Sequence, residues 1–195
     1  VIIMKRTGTQ LSKKRTPLYF GLIGLAFMLV EMPLIQRFIL YLDQPAYAFA
    51  DVLFCILLFS GFGSYFGSKK LPLSTSLLTL IMLLVVYIFL LPFLLKTTLG
   101  YNLALRLAIT ILLIAPIGFL MGIPFPSGLA WMRGVNDQPS KSSDRWMVAW
   151  VWAVNGGASV VSSILASLLA LSFGFSVTFA VGVGCYLLAW VMARK

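Results

Sequence analysis

A chain of 195 residues that is 61% hydrophobic and only 10% charged, with a mean hydropathy of +1.00, falls outside the soluble globular class, in which charged residues make up about a quarter. Its net charge of +10 therefore bears on membrane orientation rather than on nucleic acid, and the absence of histidine removes the commonest metal ligand and general base. The composition implies an integral membrane protein whose first partner is the lipid bilayer, with no nucleic acid, cofactor or metal called for.

The chain opens with VIIMKRTGTQLSKKRT, residues 1–16, a basic segment placed on the cytoplasmic side. The apolar run after it is too long for a signal-peptide core and lacks a small-residue cleavage pattern, so it reads as an uncleaved first span over about 17–41. Further spans are expected over about 46–66, 73–95, 103–122, 146–172 and 174–191, since each approaches the roughly 20 apolar residues that cross a bilayer. The fold expected over 17–193 is an all-α, six-helix transmembrane bundle with both termini cytoplasmic. The third span is almost purely aliphatic and is expected to face lipid. Cys55 and Cys185 stand alone in apolar runs and read as small hydrophobes.

The first span carries a carboxylate, Glu31, well inside its limits. An acid at that depth costs at least about 2.5 kcal/mol unless it faces protein or water, so Glu31 is expected to point into the bundle. Pro33 should bend the helix near Leu29 and free a carbonyl there, and Gln36 and Arg37 follow. Asp51 on the second span and Arg106 on the fourth are expected polar neighbours of Glu31, and with Asn155 of the fifth span these residues make one candidate intramembrane site, a polar binding site, a proton relay or a structural lock.

The cations test the topology. With cytoplasmic termini, Lys5, Arg6, Lys13, Lys14, Arg15, Lys69, Lys70, Arg133, Lys141, Arg145, Arg194 and Lys195 lie inside, and only Arg37, Lys96 and Arg106 lie outside. That is a strong positive-inside bias for six spans in the cytoplasmic (inner) membrane.

The fifth span opens with Trp146, Trp150 and Trp152, an interfacial belt, and continues WAVNGGASVVSSILASLLA. Ser159, Ser163 and Ser167 recur every four residues beside Gly157, which implies a close helix contact, and Asn155 needs a partner across it. In the second span, SGFGSYFG spaces its glycines as GxGxxxG and follows no strand, so it is no nucleotide fingerprint. GIPFPSG breaks the fourth span at Gly122, Pro124, Pro126 and Gly128, as an interfacial stop leading into a short surface helix through Trp131.

Three runs together resemble a known family: YFGLIGLAFMLVEMPLIQRFILYLDQPAYAFADVLFCILLFSGFGS, GFLMGIPFPSGL and WAVNGGASVVSSILA. They are similar to the C-terminal membrane portion of bacterial spermidine synthase-like, aminopropyltransferase-like membrane proteins. The resemblance carries over Glu31, Gln36, Gly122, Pro124, Pro126, Asn155 and Gly156 as membrane motifs. The soluble catalytic domain has no counterpart in these residues, so no catalytic residue carries over. The function expected is a non-catalytic polytopic module or subunit of a larger membrane assembly, with partner subunits. The alternative is a small-solute or proton-coupled transporter or channel component using Glu31.

Overall fold

A computed structural model of the protein describes residues 15–135 and 141–194. The cations of the leader up to Lys14, and Ser140 with its neighbours in the loop, lie outside the described residues. The helices are α1 (Arg15–Leu42), α2 (Pro45–Phe62), a π-helical turn (Gly63–Gly67), α3 (Ser68–Lys70), α4 (Leu73–Thr97), α5 (Leu103–Met121), α6 (Pro124–Val135), α7 (Lys141–Phe173) and α8 (Phe175–Arg194). No strand occurs among the described residues. Six segments are long and apolar enough to cross a membrane: Thr16–Leu42, Pro45–Lys70, Leu73–Thr97, Leu103–Met132, Trp146–Phe173 and Phe175–Arg194.

Local chemistry sets the turns. Asp43 at φ 55° closes α1 onto α2, whose first turn begins with Pro45, where a missing N–H costs nothing. Asn102 caps α5 by accepting from the Leu105 amide at 3.0 Å. Gly174, at φ 85°, joins α7 to α8 in one residue. These turns define a hairpin end of the bundle. The opposite, terminal end holds the start of α1 and the finish of α8.

Helix α1 is the hub, with 61% of its spanning window buried against 17% for α7. It runs parallel to α7, since Phe20 meets Asn155 and Leu25 meets Ser162. It runs antiparallel to α8, where Val30 lies against Gly182 and Arg37 against Ser176. Helix α2 packs between α1 and α5, and α4 bridges α5 and α8. The expected lipid-facing role of the third span is corrected in part. Although its outer face is open, α4 buries Leu77, Leu80, Leu84 and Leu91 in one stripe, and Tyr87 donates to the Leu113 carbonyl at 3.0 Å.

The serine stripe also needs correction. Ser159 donates to the Gly24 carbonyl of α1 at 3.3 Å, but Ser163 donates within its own helix to Val160 at 2.8 Å, and Ser167 to Ser163 at 3.1 Å. Gly157 is exposed, with no atom within 4 Å of where a Cβ would stand. The contact stripe is instead Val151, Asn155, Ser159, Ser162, Ala166 and Ala170. Steps of four residues drift by about 40° each around a helix of 3.6 residues per turn, so a stripe facing one neighbour must mix threes with fours.

Candidate functional site

Two interruptions of regular helix meet at the terminal end of the bundle. The π-helical turn adds a residue to α2, and beside it α5 stops at Met121. Their backbones touch: a Cβ on Gly63 would overlap the Phe119 carbonyl, and one on Gly122 would overlap the Ser60 carbonyl. Only glycine allows this approach. The break itself covers Gly122 and Ile123 alone, shorter than the seven-residue GIPFPSG segment expected to lose helical character. Pro124 and Pro126 sit in the first turn of α6, where no i−4 acceptor is in use, so they start a helix rather than prevent one. Gly128 lies within α6 against the Tyr19 and Phe20 rings.

A cavity of about 310 Å³ opens between these elements, α1, α7 and α8. Its polar lining comes from Ser64 of the π turn, Asn155 and Ser159 of α7, and Tyr186 of α8, and its apolar lining includes Phe125 and Trp152. Phe125 and Trp152 meet edge to face at 4.6 Å, and Phe125 continues to Phe20 at 5.3 Å, which fixes that wall. The Asn155 Nδ2 donates to the Phe20 carbonyl at 2.9 Å, leaving Oδ1 as an acceptor. Ser162, fully buried, donates to the Leu25 carbonyl at 2.6 Å. Tyr19, buried beside the break, donates to the Pro124 carbonyl at 3.0 Å and so ties α1 to α6.

Glu31 is buried, with 3% of its surface exposed, about one turn along α1 from Met28 of the cavity wall.

The remaining polar residues of the anticipated site lie toward the hairpin end. Arg106 donates to the Tyr41 carbonyl at 2.6 Å with its guanidinium 5.8 Å from the Tyr41 ring. Tyr41 also shares a hydrogen bond of 2.8 Å with Thr98. Arg37 donates to the Ser176 hydroxyl at 2.6 Å. Asp51 Oδ1 accepts weakly from the Cys55 thiol at 3.8 Å. Gln36 Oε1, Asp51 Oδ2 and Arg106 Nε are buried without partners among the described residues.

The six polar residues anticipated as one site are therefore divided. Tyr41 stands ten residues beyond Glu31, about 15 Å along the helix axis, so Arg106 serves the end of α1 and not Glu31. Its long side chain, starting in the first turn of α5, finds an acceptor at the interface sooner than at membrane depth. Asn155 belongs to the terminal-end cavity. Tyr19, Ser64, Ser162 and Tyr186 escaped the sequence reading. Only the position of Ser162, three residues after Ser159, carried a usable signal.

No three side chains of His, Cys, Asp or Glu gather to hold a metal among the described residues. No family model, curated protein or solved structure matches the chain.

Proposed function

We propose that the chain is a non-catalytic multi-pass module of a larger assembly in the cytoplasmic membrane, with its terminal end facing the cytoplasm, as in the membrane portion of spermidine synthase-like proteins that its three quoted runs resemble. The observation that carries this reading is the open face of α7. That helix buries the smallest share of its spanning window, and Gly156 and Gly157 stand on the exposed side with nothing within 4 Å of a Cβ. Two glycines inside a helix cost about 2 kcal/mol relative to alanine, and no contact among the described residues recovers it. A partner helix approaching closely would. The orientation rests on the distribution of the fifteen Lys and Arg residues in the whole sequence.

The test is Gly157→Trp. Since the site is open, the isolated chain should keep its thermal stability, whereas the complex extracted from native membranes in mild detergent should dissociate on native electrophoresis. A chain that is extracted as a monomer, or a complex indifferent to tryptophan there, overturns the reading.

A second reading, a solute or proton-coupled transport component, is favoured by the cavity and by Glu31 near its wall. In proteoliposomes with an interior pH dye, Glu31→Gln should abolish acid-driven proton entry at unchanged reconstitution efficiency. Equal flux from the Glu and Gln proteins would remove Glu31 from any relay.

A further inference from the structure

A second recess, of about 380 Å³, lies at the hairpin end, and its lining includes Arg37 of α1, Lys96 of α4 and Ser176 of α8 together with Leu40, Pro92 and Leu99. Two cations from separate helices line it, and no carboxylate does so among the described residues. Arg37 spends one donor on a neutral hydroxyl, at 2.6 Å from Ser176, out of the five its guanidinium offers. Lys96 lies in the last turn of α4, where the helix dipole favours a cation, but Arg37 has a further turn of α1 beyond it and no such compensation. Two like charges facing one recess repel unless an anion lies between them.

The surroundings narrow the kind of anion. Arg37 lies about 7 Å below the end of α1 and Lys96 one residue from the end of α4, which is the level of lipid headgroups. Leu40 and Leu99 are 69% and 55% exposed, so the recess continues into open apolar surface of the kind that acyl chains cover. A site built for a free anion would be ringed by polar groups.

We propose that this recess seats the phosphate of an anionic phospholipid headgroup, held by Arg37, Lys96 and the Ser176 hydroxyl, with the acyl chains lying along Leu40, Pro92 and Leu99. Binding of this kind fixes α1, α4 and α8 to one another at the end of the bundle where no cavity-lining residue of the first site is found.

The test uses the purified chain in neutral detergent, loaded with dioleoylphosphatidylglycerol or dioleoylphosphatidylcholine, with retained lipid counted by native mass spectrometry. Phosphatidylglycerol should be retained in preference. Lys96→Gln and Arg37→Gln should each weaken its apparent affinity about fivefold, and Arg37→Lys should weaken it less. Lys69→Gln, at the opposite end, should leave it unchanged. Lys96 is exposed, so its substitution reports on binding even if Arg37→Gln disturbs folding. Equal retention of the two lipids, unchanged phosphatidylglycerol affinity in Lys96→Gln, or displacement of the lipid by millimolar inorganic phosphate would each overturn the proposal, the last by assigning a free-anion pocket.

Discussion

Alanine at Gly63 or at Gly122 is expected to destabilise the protein by about 3 kcal/mol, the upper part of the range for overpacking, and to lower the thermal unfolding midpoint in detergent by about 6 to 12 °C. The added methyl would overlap a backbone carbonyl in each case, Phe119 for Gly63 and Ser60 for Gly122, and a carbonyl held in a helix cannot rotate away as a side chain can. Either substitution must push the π turn and the end of α5 apart. Gly61, two residues from Gly63, supplies the control. Nothing lies within 4 Å of its Cβ position, so Gly61→Ala should be neutral or stabilising by up to about 1 kcal/mol through helix propensity. Opposite signs at Gly61 and Gly63 would locate the close approach to the residue. Equal effects would mean that α2 and α5 do not touch there.

Leucine at Ser162 should cost about 2 to 3 kcal/mol, while leucine at Ser163 should change stability by less than about 0.5 kcal/mol. Ser162 is wholly buried against α1 and its hydroxyl reaches the Leu25 carbonyl, so the larger side chain both removes a hydrogen bond and forces two parallel helices apart. Ser163 is one residue round the helix, about 100° away, and its hydroxyl serves only Val160. Thermal unfolding of both variants in one detergent checks this. The reverse order would require α7 to be rotated by that angle relative to α1.

That pair shows where the sequence was legible and where it was not. The six spans could be read because a bilayer demands internally satisfied backbone over a fixed apolar length, a constraint visible in hydropathy alone. The seclusion of Glu31 and the need of Asn155 for a partner on another helix followed from the cost of polar groups at depth, and the structure places Glu31 in the bundle and Asn155 on the Phe20 carbonyl. The direction in which α7 faces did not follow. Small residues occur on both of its sides, Ser162 towards α1 and Gly157 away from it, and composition cannot distinguish a contact within the chain from one kept for another. The cavity was equally hidden, because it depends on where the π turn of α2 meets the break after α5, a matter of tertiary register between segments about sixty residues apart.

The hub position of α1 has a consequence for biosynthesis. Helix α1 is covered by α7 and α8, which are made more than a hundred residues after it. While the ribosome is still producing α2 to α6, Glu31 and the Phe20, Gly24 and Leu25 backbone have none of their final α7 and α8 neighbours. An insertase or another protein that shelters α1 during that interval would shorten its exposure as an acid in lipid, and chains terminated before α7 should be degraded rather than accumulate as stable intermediates.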